Sequence, residues 1–278
     1  MNKHDPEHNV IFDRRTDTVT VSSYNPADIW PNWQEGKERW LFISPHDDDV
    51  ACGAVKTLLA GMACGAEAFV GVVTNGKMGY CRPEHKYTIC EIREKECRES
   101  FRMLGLKEEN LFFLGFDDGS LYRQSGRRLV ENDPDGPEIA GATGLHNSLT
   151  WLVRQARPTR VFLPTISDLH PDHRMSNSES VISIFHALGS IWPELGEPIS
   201  EIPLIYEYAA YSNFPTPPTL RIRVGQELFD RSLNALLAYK SQEQIEITIQ
   251  RIRDTGPKEF IRELEFDIFD PDKADRLF

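Results

Sequence analysis

The chain has 278 residues, 40% hydrophobic and 27% charged, with 43 acidic against 31 basic side chains and a formal net charge of -12. That length and balance suit a soluble globular protein with a full core. They argue against a nucleic-acid partner, which needs clustered Lys and Arg, and favour a neutral or cationic small substrate over a polyanion.

In chain order, Val10-Ile11-Phe12 and Val19-Thr20-Val21 flank Asp13-Arg14-Arg15-Thr16-Asp17, which predicts a small hairpin within an N-terminal extension over residues 1–36. From residue 37 to 278 the pattern is that of a single domain. Trp40-Leu41-Phe42-Ile43, Phe69-Val70-Gly71-Val72-Val73, Leu111-Phe112-Phe113-Leu114 and Val161-Phe162-Leu163 are short runs apolar on both faces, as buried parallel strands are. Helical segments are expected around 51–63, 88–104, 145–157 and 174–188, and a surface loop from Ser120 to Gly144. Ile205 to Tyr211 and Leu220 to Val224 read as further strands, and Gln226 to Arg253 as one long helical stretch. The expected fold class is therefore α/β: a Rossmann-like, doubly wound, mostly parallel sheet with helices on both faces.

Five cysteines, Cys52, Cys64, Cys81, Cys90 and Cys97, form no Cys-x-x-Cys pair and suggest free thiols in a reducing compartment. The N-terminus lacks the layout of a signal peptide, and the most apolar stretch, Leu58 to Val73, is broken by Glu67 and three glycines. A cytoplasmic protein with no integral membrane segment is expected.

The chemistry concentrates in Ser44-Pro45-His46-Asp47-Asp48-Asp49 and Asp168-Leu169-His170-Pro171-Asp172-His173, each following a predicted strand. Ligands of such sheets gather beyond the carboxyl ends of the strands. His46 with Asp49 and His170 with His173 stand three apart, a spacing that lets one turn present two ligands to one ion. Imidazole and carboxylate without thiolate suit a zinc-type catalytic centre of three protein ligands and one open position. Either motif alone reads as a polar loop whose acids cap a helix. Three adjacent carboxylates repel one another without a cation, and the second imidazole cluster supplies the reason for one. Arg93 alone reads equally as a surface partner of Glu94 or Glu96, Asp118 as a turn former before Gly119, and His85 and His146 as surface histidines.

His-x-Asp-Asp after the first strand with His-Pro-Asp-His on a later strand-end loop resembles the PIG-L/LmbE-like zinc-dependent N-acetylglucosaminyl deacetylases. Thr74-x-Gly76, Arg93-x-x-Glu96 with Leu104-Gly105, Leu114-Gly115-Phe116-x-Asp118-Gly119 and Lys240-Ser241-Gln242 extend the resemblance over roughly residues 38–245. It implies that His46, Asp49 and His173 bind Zn2+, or another divalent metal such as Fe2+. Asp48 would be the general base, and His170 would stabilise the oxyanion or protonate the departing amine. Arg93 would contact sugar hydroxyls, with Asp118 a second substrate-binding position and Asp47 and Asp172 standing behind the ligands. A homo-oligomer is also implied, of an order no sequence feature sets. Two departures are visible: Asp47 replaces the usual Pro, and Val50 the usual Glu. The expected activity is metal-dependent removal of an N-acetyl group from an N-acetylglucosaminyl-type sugar or glycoconjugate. The alternatives are a metal-dependent hydrolase of another amide or of a phosphoester, and an inactive sugar-binding homologue. The Ser120–Gly144 loop and the unmatched tails are expected to select the aglycone.

Overall fold

The structure, a computed structural model, describes residues 10–16, 18–132, 136–266 and 271–276. Its elements in chain order are β1 (Ile11–Arg15), β2 (Thr20–Ser23), β3 (Arg39–Ser44), α1 (Asp49–Gly53), α2 (Val55–Ala63), β4 (Glu67–Thr74), α3 (Ile89–Leu104) and β5 (Leu111–Phe116). There follow β6 (Arg128–Leu129), β7 (Ala142–Thr143), α4 (Leu145–Ala156), β8 (Arg160–Pro164), α5 (Pro171–Leu188), β9 (Leu204–Tyr208), β10 (Leu220–Arg223), α6 (Gln226–Leu236), α7 (Ile245–Thr255), β11 (Lys258–Leu264) and α8 (Pro271–Asp275).

Among the described residues a nine-stranded sheet runs β2-β1-β10-β11-β9-β8-β3-β4-β5. The half from β9 to β5 is parallel, and the half from β9 to β2 antiparallel. The apolar runs on β3, β4 and β8 are continuous because both faces are covered. On β3, Trp40 and Phe42 face one core together with α2, α3 and α6, while Leu41 and Ile43 face the other with α4 and α5. That alternation makes the sheet doubly wound. Gly61 of α2 lets the helix settle on the Trp40 indole, since a Cβ there would lie 2.5 Å from the ring.

The hairpin of β1 and β2 is the antiparallel edge of this sheet, because β1 also pairs with β10. Asp13 holds the junction by accepting from Arg221 at 2.7 Å and from Arg223 at 2.7 and 2.9 Å. The connector that follows carries Trp30, buried against Phe12, Trp40 and Tyr206 with ring centroids 5.1–5.8 Å apart. Arg160 of β8 donates to both the Pro31 carbonyl and Glu38, joining the connector to the sheet centre.

Three expectations need correction. The stretch from Gln226 to Arg253 is two helices, because residues 241–242 bind elsewhere: Ser241 donates through its amide and hydroxyl to Glu96 at 2.8 and 2.7 Å, and Gln242 Nε2 donates to the Gly79 carbonyl. The apolar period continues, but these tertiary bonds compete successfully with helix propagation. The segment over 120–144 holds a 3-10 turn and the small β6–β7 ladder; its residues 133–135 lie outside the described residues. His146 is half-buried, with Nε2 2.5 Å from His186 Nδ1 and its ring against Trp192. No helix among the described residues is long and apolar enough to cross a membrane, and all five cysteines are unpaired.

Candidate metal centre

β3 ends at Ser44 and the chain turns at once. Ser44 Oγ donates to the His46 carbonyl at 2.5 Å and accepts from the Val50 amide at 3.2 Å, so residues 44–50 close into a tight polar loop. Asp49, opening α1, accepts the His46 amide at 2.7 Å. On neighbouring β8 the loop before α5 is set in the same way. Asp168 Oδ1 accepts the His170 amide at 2.9 Å, and Pro171 starts the helix where no amide hydrogen is needed. His170 caps that helix by accepting the Asp172 amide on Nδ1 at 3.2 Å.

Because β3 and β8 are adjacent parallel strands, the two loops face each other. Asp49 Oδ2 lies 3.1 Å from His46 Nδ1 and 3.1 Å from His173 Nε2, and the two nitrogens are 3.3 Å apart. Tetrahedral ligands at the roughly 2.0–2.1 Å of zinc–nitrogen and zinc–oxygen bonds stand about 3.3–3.4 Å from one another, so this triangle has the size of one face of such a site. His170 completes a second, looser set: one ring nitrogen each of His46, His170 and His173 lies within 4.8 Å of the others. The far nitrogens are also backed by carboxylates, His46 Nε2 by Asp172 at 3.5 Å and His173 Nδ1 by Asp168 at 3.3 Å, an arrangement that orients imidazole ligands.

The electrostatics follow this packing. Burial opposes charge on His46, but Asp49, Asp172 and Asp48 outweigh it and raise its pKa well above the ordinary value. Burial opposes charge on His173 as well, and Asp49 and Asp168 lift it to about 9. Asp49 is held far below the usual carboxylate range by the two imidazoles, despite its burial. His170 goes the other way: burial, with the neighbouring His46 charge, lowers its pKa. With Nδ1 engaged as the helix cap, the neutral ring carries its proton on Nε2.

Of the other expected residues, Asp172 binds the loop after β5 through the Gly119 and Leu121 amides, at 2.5 and 3.3 Å, as well as backing His46. Asp118 is buried and accepts the Met78 amide at 2.8 Å, tying the loop after β4 to the loop after β5. Arg93 is not on a solvated face. It is 5% exposed and its Nη2 meets the Asp47 carboxylate and, at 3.2 Å, Asp48. Its side chain threads between glycines: a Cβ on Gly79 would lie 2.0 Å from Nη1 and one on Gly76 3.0 Å from Cδ. The Glu96 expected beside it instead binds Ser241. Asp48 and Asp49 open onto a cavity of about 250 Å³ lined also by Tyr211, Gln242 and Arg251.

Asp168 stands in the second sequence motif without an expected role, and Glu207 is not among the expected site residues. Asp168 has a local signal, an acid two residues before a helix-capping histidine. Glu207, fully buried in β9, has none; it accepts from the Ile166 amide, Asn177 and Arg262 and so fixes the loop carrying His170.

Several solved structures are similar in fold, these three among them. The conserved protein TT1542 from Thermus thermophilus is 27% identical, covering 84% of this chain and 98% of its own, with a TM-score of 0.62. N,N'-diacetylchitobiose deacetylase from Pyrococcus horikoshii is 23% identical, covering 82% and 84%, with a TM-score of 0.61. GalB, the 4-carboxy-2-hydroxymuconate hydratase from Pseudomonas putida, is 16% identical, covering 84% and 98%, with a TM-score of 0.60. Comparison with curated proteins returned no match. The sequence profile of the family described as PIG-L, GlcNAc-PI de-N-acetylase, matches residues 41–183, more than half of the chain and the whole span from His46 to His173. The chain belongs to the PIG-L family.

Proposed function

We propose that the protein is a metal-dependent N-deacetylase of an acetamido sugar or glycoconjugate, releasing acetate and a free amine. The observation that carries this reading is the triangle of His46, Asp49 and His173 beside Asp48 and the neutral His170, in a chain of this family. The fold alone does not select the reaction, since a deacetylase and a hydratase share it.

The donor set fits a divalent ion of the zinc type: two imidazole nitrogens and a carboxylate oxygen at tetrahedral spacing, backed by Asp172 and Asp168, with a cavity reached from Asp49. His46, Asp49 and His173 would hold it, and when bound it would polarise the acetamide carbonyl and acidify water. Asp48 accepts a proton from the attacking water as its oxygen bonds to the carbonyl carbon. His170 donates its Nε2 hydrogen to the oxyanion that develops. The nitrogen then takes the proton held by Asp48, the C–N bond breaks, and acetate and the amine leave. Arg93, anchored on Asp47, also meets Asp48 at 3.2 Å and so holds that carboxylate in place.

Acetate release from N-acetylglucosaminides by zinc-loaded protein tests the reading. It should be present in the wild type and lost in Asp48→Asn with metal content retained. Hydrolysis of a phosphoester panel with no acetate release would reject it.

A further inference from the structure

A second cavity, about 630 Å³, opens beside the first. The two share Cys52, Ile252 and Thr255 as lining, so they adjoin, the near one at Asp48 and Asp49 and the far one running as a groove to β11. The near part is smaller than the roughly 300–1,000 Å³ of ordinary ligand pockets and suits little more than one sugar ring; the far part lies within that range. Its walls are Phe214, Pro215, Pro217, Pro218, Ile252 and Phe260.

Of the three charged side chains in the far part, Lys56 and Glu259 are engaged with each other, while Lys258 stands exposed at the rim. Glu259 accepts from the Lys56 and Thr57 amides at 3.0 and 2.8 Å and from the Thr57 hydroxyl at 2.9 Å, with the Lys56 ammonium 3.4 Å away. That saturated carboxylate offers little to a polar ligand, whereas the aromatic and proline walls gain from covering hydrocarbon. Most of this lining, from 209 to 260, lies outside residues 41–183, in the part of the chain that the family profile does not match.

We propose that the groove binds an apolar substituent of the substrate, an alkyl or aryl aglycone carried by the acetamido sugar. This rests on the Asp48–Asp49 cavity being the site that takes the sugar. The aglycone is thereby selected by the 209–218 loop, α7 and β11, and not by the 120–144 segment.

The probes are methyl, butyl, octyl and phenyl glycosides of N-acetylglucosamine, measured with the zinc-loaded full chain both for acetate release and for calorimetric binding. In the wild type, Kd and KM should fall about threefold to fourfold per added methylene until the groove is filled. The octyl and phenyl arms separate a chain-shaped from a ring-shaped occupant. In Phe214→Ala the octyl-to-methyl preference should shrink about tenfold or more. Thr255→Trp, which narrows the junction from an exposed helix end, should bring it toward one and serves if the Phe214 variant does not fold. Equal binding of methyl and octyl glycosides by the wild type, or a di-N-acetylated disaccharide outranking the octyl glycoside, would overturn the proposal. Octyl preference in binding without acetate release sinks the deacetylase reading and supports the groove; acetate release indifferent to chain length does the reverse.

Discussion

The Arg93 guanidinium rests on the Asp47 carboxylate, both buried at the end of the sheet, with Arg93 Nε and both Asp47 oxygens lacking hydrogen-bond partners of good geometry. Charge holds the pair. Burial, with Asp48 close by, pushes the Asp47 carboxyl up against the opposing pull of Arg93. Removing the arginine strands two carboxylates, so Arg93→Ala should cost about 3 kcal/mol or more of stability, against under about 1 kcal/mol for an exposed pair. Asp47→Asn in the same background should restore part of it. Urea unfolding of the two single variants and the double variant measures this; a cost below about 1 kcal/mol for Arg93→Ala would mean that the pair does not persist in solution.

Asp48 differs from its neighbours by lining the cavity without joining the triangle. Asp48→Asn is expected to keep full metal content while turnover falls roughly 10²–10⁴-fold, the scale of losing a positioned base. Asp47→Asn should reduce turnover far less. Elemental analysis beside initial rates decides; the reverse ranking would move the base to Asp47.

Metal uptake should release protons. In the ion-free protein the His173 pKa is raised to about 9 and that of His46 is also raised, so at pH 7 both hold protons that an ion must displace. Apparent affinity is therefore expected to climb with pH from neutrality through at least about 9, the His173 value. Calorimetry in buffers of different ionisation enthalpy counts the protons at pH 7; none released would contradict this coupling. Alanine at His46, Asp49 or His173 should remove most of the single bound equivalent.

Far from the site, Asp13 pins the N-terminal hairpin to β10. Burial works against its charge, but bonds from Arg223, Ser22 and Arg221 lower its pKa from 3.8 to about 2. A depressed carboxylate stabilises the fold above its unfolded pKa and loses that contribution as pH falls through the folded value. With partly exposed arginines, the contribution at pH 7 is about 1–2 kcal/mol. Asp13→Asn should lose that much at pH 7, and the gap to the wild type should narrow between about pH 4 and pH 2 in denaturant titrations. A gap independent of pH would show that the aspartate acts through packing alone.

The short-range features were legible in the residues themselves. Runs such as Trp40–Ile43 and Val161–Leu163 are apolar on both faces because both faces of the strand are buried, and residues just beyond a parallel strand necessarily meet at one edge. The three-residue spacing of His46 with Asp49 likewise expresses one turn of backbone. What only the tertiary structure decided are pairings across long separations. Arg93 reads as a partner of Glu94 or Glu96 until α3 packs it onto Asp47, because a charge on a helix carries no local mark of the element it will face. The break at 237–244 comes from Ser241 reaching Glu96, and the apolar groove exists only because the 209–218 loop, α7 and β11 converge beside α1. Local periodicity cannot encode such meetings, since they depend on which distant surfaces the whole sheet brings together.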